Sequence, residues 1–467
     1  MSKARKAIEV RAIAGGGREV AYSLRSLAAA PSNGQFDWTV SWPGHSITQP
    51  VATDLLEIGK AIYLADRAVR RSLRYGQRTR RIDLVIPVLQ PDVWRPMAPL
   101  LESLARFASA DLWTIKFDSS SQRVARQPEI EPQPEGVVAL FSGGLDSLCG
   151  AAWLARRPGS PVFVTHSPPG REACLSLVQD TWKAFRRDPL PAASSVSFRL
   201  EVRERTRQGT RSMFQEPTRR TRPFFFLSLA CAVAVQLGIP NIQMSENGAY
   251  ALSLPFRADA HGALCSRQAH AYLLDGFREL LSRVAPALGA ISIYNPFQDD
   301  TKGEECQAYL GPAWPLAKRA ISCEYVGRQA AFLWAWKKKH TAATAWIGDG
   351  PQCGLCMPCL VRRAALYRYK RGAGDEDRSY FFNARLIGKQ ENKHHPPLYS
   401  AAAAHVHHVQ NFCRRIQRMS LDDFAVQYLP ELRLPQRPEF LSDEALEKRY
   451  RLVRRFAGEL MAYLETR

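Results

Sequence analysis

Apolar residues along this chain recur at two different periods. Within 54–74 they fall at Leu55, Ile58, Ile62, Ala65, Val69 and Leu73, one face of a helix that starts at an acidic residue and ends among arginines, as a helix dipole favours. Ile82, Leu84, Ile86 and Val88 then alternate as in a strand, residues 94–108 fit a helix, and Trp113, Ile115 and Phe117 alternate again. These elements predict a small α/β or α+β module. Residues 118–136 (DSSSQRVARQPEIEPQPEG) lose all periodicity and collect Ser, Gln, Glu and Pro, so a linker or long surface loop and a domain boundary are expected there.

Beyond this boundary, VVALF (137–141), a glycine-rich turn, a helix to about Arg156 and PVFVT (161–165) make a β-loop-α-β unit. The pattern continues with a helix over 175–185 and a strand at Val196, Phe198, Leu200 and Val202. An apolar helix over 223–238 and a strand over 241–245 follow. Such alternation predicts an α/β fold with a doubly wound parallel sheet, whose ligands bind beyond the carboxyl ends of the strands. Two of those ends carry unusual residues: Ser142 onward, and Glu246-Asn247-Gly248. After Arg362 the chain reads as basic and helical, with AAAAH (401–405) its only biased segment and no internal repeat. The expected division is an accessory module (1–130), a nucleotide domain (131–315), a cysteine-cluster segment (316–370) and a basic helical region (371–467).

Composition narrows the class. With 467 residues, 46% hydrophobic and 23% charged, the chain is long enough for several structural units, and its composition excludes extended disorder or a fibrous repeat. A net charge of +20 attracts nucleotides, nucleic acid or an acidic partner. The arginines around 67–81, 203–211 and 219–222 lack the interleaved aromatics of single-strand binders, so nucleic acid is not the favoured partner. The amino terminus has no apolar signal region, and the longest apolar run, 223–238, is short and interrupted by Ser228 and Gln236. A buried core helix, no membrane span and a cytoplasmic location are therefore expected. The ten cysteines then read as reduced thiols, with Cys149, Cys174, Cys231, Cys265, Cys306 and Cys413 as small buried hydrophobes.

Two motifs carry chemistry. In Phe141-Ser142-Gly143-Gly144-Leu145-Asp146-Ser147, between strand and helix, the glycines allow a tight turn with inward amides, and the helix adds its amino-terminal amides, so a phosphate chain can be held. Ser142 and Ser147 can donate hydroxyls to phosphate oxygens. Asp146 would repel phosphate unless a divalent cation lay between them, which marks it as a magnesium anchor. The Gly-Lys-Ser/Thr ending of a Walker loop is missing. In Cys353-Gly354-Leu355-Cys356-Met357-Pro358-Cys359, three thiols with two-residue gaps can converge on one tetrahedral ion. The fourth ligand is expected to be Cys323, with His340 as the alternative. Zinc is favoured, and an iron–sulfur cluster on three cysteines stays open. His394, His395, His405, His407 and His408 are assigned to an exposed basic tail.

The 141–147 segment resembles the PP-loop of the N-type ATP pyrophosphatases (HUP-like fold), which cleave ATP between its α- and β-phosphates. Combined with the Cys-Gly-x-Cys-x-x-Cys cluster and Arg362-Arg363, it resembles the 7-cyano-7-deazaguanine synthase family. Glu246-Asn247-Gly248, Cys265-Ser266-Arg267-Gln268-Ala269-His270, Asn295-Pro296-Phe297 and Thr301-Lys302-Gly303-Glu304 look like that family's substrate-side segments, over about residues 136–370. The elements within 54–117 resemble the amino-terminal module of QatC-type relatives, encoded in bacterial antiviral systems including Qat and type IV cyclic-oligonucleotide signalling systems. The gap from Cys323 to Cys353 is longer than is usual in the family.

This resemblance implies an ATP-dependent C–N ligase that forms AMP and pyrophosphate. ATP would be bound by Phe141, Ser142, Gly143, Gly144, Leu145, Asp146, Ser147 and His166, with Mg2+ and Zn2+ as metals. Ser142, Asp146, Ser147 and Lys302 would serve catalysis, with Lys302 near the α-phosphate or the carboxylate. Glu246, Asn247 and Arg267 would bind a 7-carboxy-7-deazaguanine-like base, Glu246 accepting from ring donors. The acceptor would be ammonia, giving an amide and then a nitrile, or an amine of a protein partner from the same defence operon. The competing readings are a tRNA-modifying ATP pyrophosphatase and a nucleotide-binding scaffold of a defence complex.

Overall fold

Strands begin well before the alternation at Ile82. The computed structural model describes residues 8–14, 18–26, 35–69, 79–120, 133–159, 161–166, 174–206, 209–212, 216, 218–256, 266–323, 352–370, 380–387, 397–432 and 442–465. Its strands are β1 (Ile8–Ala14), β2 (Arg18–Ser26), β3 (Gln35–Ser41), β4 (Arg81–Val88), β5 (Leu112–Ser119), β6 (Val137–Leu140), β7 (Pro161–His166), β8 (Ser195–Thr206), β9 (Gly209–Ser212), β10 (Asn241–Met244) and β11 (Ser292–Tyr294). They form one mixed, mostly parallel sheet in the order β11-β10-β6-β7-β8-β3-β2-β1-β4-β5, with β9 paired to β8. The run β11-β10-β6-β7-β8 is parallel throughout, as expected. The antiparallel pairs are β3 with β8, β8 with β9, and β1 with both β2 and β4.

The longer helices are α1 (Pro50–Ala68), α2 (Ala98–Ser109), α3 (Leu145–Ala155), α4 (Cys174–Phe185), α5 (Arg222–Leu237), α6 (Ala271–Val284), α7 (Lys302–Tyr309), α8 (Met357–Lys370), α9 (Pro397–Arg418), α10 (Leu421–Leu432) and α11 (Asp443–Leu464). Period-two alternation in β6 and β7 sends successive side chains to opposite faces. Val138, Val162 and Val164 join a core with α1, α2, α5 and α6, whereas Ala139 and Phe163 join another with α3 and α4. Helices thus cover both faces of the parallel run.

Helix α1 starts at Pro50, four residues before the expected start, so Asp54 lies inside its first turns. The buried Asp54 carboxylate instead accepts from Leu89 N at 2.6 Å, Gln90 N at 3.0 Å and Trp94 Nε1 at 2.9 Å, closing the turn after β4. The part of the expected helix beyond Val69 lies outside the described residues, as do 121–132 of the expected linker. α1 packs on α5, with Tyr63 stacked on Phe225 at 4.8 Å. The helices approach so closely that a Cβ on Gly59 would meet Ser228 Cβ at 2.5 Å. Through the β3–β8 ladder, in which Ser41 faces Ser197, the strands before residue 120 and those after 136 share one sheet.

A further core joins α8, α9, α10 and α11 to the turn after β10, through Leu252, Phe256, Leu360, Phe412 and Phe456. Arg362 and Arg363 are buried here. Arg362 donates to Tyr380 Oη and to the carbonyls of Ala317 and Ala320, and Arg363 lies over the rings of Tyr380 and Tyr463. Among the described residues no helix is long and apolar enough to cross a membrane.

Candidate functional site

Chain direction opens a crevice at one place in the parallel run. After β6 the chain passes into α3, in the core of one face, while the chain leaving β10 reaches α6, in the core of the other. β6 and β10 are neighbours, so their outgoing loops part and leave a cleft at the carboxyl ends, where doubly wound sheets bind ligands. The cleft holds 1210 Å³, open solvent included. Phe141, Ser142, Gly144, Asp146, Ser147, His166, Glu246 and Lys302, all predicted from the sequence, line it.

The loop 141–147 is bound on every side. Gly143 sits at φ +74°, where a side chain is strained, and its carbonyl accepts from Ile321 N at 2.8 Å. A Cβ there would lie 2.7 Å from Cys174 Sγ. Gly144 precedes α3, its amide 3.3 Å from Ser142 Oγ, and Ser147 Oγ donates to Gly144 O at 2.9 Å. Ser142 and Ser147 hydroxyls lie 3.4 Å apart. Leu145 is fully buried in the core rather than in the cleft, anchoring the loop from beneath.

Asp146 is the hub of the acidic wall. Its Oδ2 pairs with Lys302 Nζ at 2.5 Å, and its Oδ1 accepts from both the backbone and side-chain nitrogens of Asn247 at 3.2 Å. Asn247 Nδ2 also donates to Glu246 Oε1 at 2.8 Å, so Asn247 serves as a bridge between carboxylates. Asn295 fixes the Glu246 backbone from both sides, accepting from its amide and donating to its carbonyl. Lys302 opens α7, where Thr301 and Glu304 form a capping box. Glu459 of α11 accepts from Thr301 Oγ1, Gly303 N and Arg368, so the carboxyl-terminal helix braces Lys302.

Burial, then the Asp146 carboxylate, raises the Glu246 pKa well above the usual carboxyl range, with Lys302 pulling the other way. Glu305, one turn into α7, is raised likewise by burial and then Asp146, and its two carboxylate oxygens have no hydrogen-bond partner among the described residues. Burial works against the Lys302 ammonium, but Asp146, Glu246 and Glu305 outweigh it and its pKa is raised. The wall therefore holds one firm cation among three carboxyl groups.

Arg219, Arg222 and Tyr250, not singled out as site residues from the sequence, also line the cleft, as do Ser266 and Gln268 of the expected substrate-side segment 265–270. His166 ends β7 beside the rings of Phe225 and Phe226, each 5.6 Å away. Arg267 does not line the cleft: its Nη1 donates to Phe107 O at 2.6 Å and its guanidinium stacks over the Phe107 ring. Cys265 lies outside the described residues.

The thiols form a second centre bordering the first. Sγ atoms of Cys323, Cys353, Cys356 and Cys359 all lie within 4.8 Å of one another, with every residue buried and none of the four in a disulfide. A tetrahedral ion with metal–sulfur bonds of about 2.3 Å needs sulfurs ~3.8 Å apart, and Cys353 and Cys359 stand at 3.9 Å. Thiol donors from the other three lower the Cys323 pKa against burial, whereas burial raises Cys356 and Cys359. This all-sulfur, dry donor set could hold a metal such as zinc. Cys323 fills the fourth position, and His340 lies outside the described residues. Cys323 also lines the cleft, two residues after Ile321, whose amide holds Gly143.

No family model, curated protein or solved structure matches this chain.

Proposed function

We propose that this chain is an ATP pyrophosphatase of PP-loop fold that adenylylates a 7-carboxy-7-deazaguanine-like carboxylate and passes the acyl group to ammonia or a protein amine in bacterial antiviral defence. The observation that carries this reading is the placement of loop 142–147 at the crevice between β6 and β10, with Asp146, Lys302 and Glu246 converging on it. Loop amides and the Ser142 and Ser147 hydroxyls receive the phosphate chain of ATP. Asp146 offers a carboxylate of the kind that, together with substrate phosphates, holds magnesium, which when bound neutralises phosphate charge. Lys302 neutralises the α-phosphate oxygens as the substrate carboxylate oxygen attacks and pyrophosphate leaves. The amine nitrogen then attacks the acyl carbon and AMP leaves. Cleft and loop hold the reactants together, which removes much of the entropic barrier. A cytoplasmic setting belongs to the same proposal.

Incubating zinc-replete protein with ATP, magnesium and 7-carboxy-7-deazaguanine, with and without ammonia, tests it. AMP and pyrophosphate that depend on the base and vanish in Ser147→Ala are expected. Absence of AMP under these conditions sinks the proposal, and AMP formed with tRNA in place of the base would favour tRNA modification.

A further inference from the structure

Segment 218–222 turns its residues two ways. Arg219 and Arg222 line the cleft, and the residues between and beside them turn toward the amino-terminal half of the chain. Thr218 Oγ1 donates to Asp66 Oδ2 at 3.1 Å, and Thr221 donates to the same oxygen from Oγ1 at 2.8 Å and from its amide at 3.4 Å. Arg220 Nη1 donates to Ser109 O, at the end of α2. Asp66 is itself fixed by Arg80, which also pairs with Asp111 at 2.5 Å and caps the end of α1 through the carbonyls of Asp66 and Val69. Asp66, Arg80, Asp111, Thr218, Arg220 and Thr221 are all buried.

A buried carboxylate is tolerated only when its oxygens are well satisfied, and here three of its bonds go to the segment that carries the two cleft arginines. Both arginines face the cleft, where the Arg222 guanidinium lies 4.9 Å over the ring of Phe226, itself a lining residue. Guanidinium forks match phosphate oxygens in pairs, and the same cleft contains a loop built for phosphate. We propose that Arg219 and Arg222 form a polyphosphate clamp for the β- and γ-phosphates of ATP, and that Asp66 and Thr221 are the residues that position it. The proposal rests on the nucleotide reading above and makes the first 120 residues part of the site.

The test is calorimetric titration of the full, zinc-replete chain with ATP, AMP and inorganic tripolyphosphate in magnesium. Arg219→Ala and Arg222→Ala should each weaken ATP and tripolyphosphate binding by about tenfold or more, leaving AMP binding unchanged, because only the terminal phosphates lose a charge-assisted partner. Thr221→Val, which removes one hydrogen bond without changing shape, should weaken ATP by roughly threefold to tenfold and again spare AMP. It serves where Asp66→Asn fails to fold. Arginine variants that bind ATP as the wild type does, or that lose ATP and AMP equally, overturn the clamp. A wild type that binds no ATP overturns the nucleotide reading instead, and tripolyphosphate binding lost in the arginine variants would then still mark the clamp.

Discussion

Lys302 Nζ stands 2.5 Å from Asp146 Oδ2, with the two side chains only 5% and 13% exposed. Removing one partner of so buried a pair strands the other. Lys302→Met should therefore cost about 3–5 kcal/mol in urea unfolding, and Lys302→Met with Asp146→Asn should recover most of that loss. The single variant should also lose about 100-fold or more in AMP formation. Equal stability of the single and double variants would contradict the coupling.

Glu305 is a buried carboxyl group whose oxygens find no hydrogen-bond partner among the described residues. Its folded-state pKa is raised, first by burial, so the stability it contributes is fully present below the ordinary carboxyl pKa of 4.5 and lost as pH rises through the folded value. Glu305→Gln removes the titration. Its unfolding midpoint should climb relative to the wild type as pH rises above the ordinary carboxyl range, and a difference constant with pH would refute this.

Glu246 should change protonation when the base binds. Burial holds its proton, while two N–H donors from a guanine-like ring would stabilise the ionised form. Binding should then release up to about one proton at pH values where the free protein still holds it, seen as a calorimetric heat that varies with the ionisation enthalpy of the buffer. Glu246→Gln should abolish that dependence.

Metal removal should be felt at a distance. Cys353→Ser leaves three thiols, so zinc measured by mass spectrometry should fall from about one per chain toward zero, with a loss of several kcal/mol in stability. Because Ile321 ties this region to Gly143, a chelator should also weaken ATP binding. Unchanged metal content in the serine variant would overturn the four-sulfur site.

Much of this site is legible from local pattern. The turn 142–147 lies between an apolar strand and a helix, and the CxxC spacing announces converging thiols; both signals are contained within a few residues. Cys323 required a return across the chain, which spacing could suggest but not decide. Arg219 and Arg222 look like members of a solvated basic run, because what turns the segment inward is a set of buried bonds to distant residues, those of Thr218 and Thr221 to Asp66 and of Arg220 to Ser109 among them. Glu305, in Lys-Gly-Glu-Glu, reads as a surface helix residue until α11 covers the neighbouring turn. Arg267 sits beside two cleft residues, yet a nearby aromatic ring captures its side chain. Strands β1 to β3 escaped notice although β3 alternates at Phe36, Trp38 and Val40, because each is short and their partners include a strand far along the chain.

That distant partnership shapes how the molecule comes into being. During synthesis, β3 emerges with one edge bare and stays so until β8 is made, a wait of roughly tens of seconds at ~5–20 residues per second. An uncovered strand edge is a template for pairing with another chain, so the nascent first half is the stage most exposed to aggregation. Production of the first 120 residues alone should yield insoluble protein, and supplying the remainder in the same cell should rescue it.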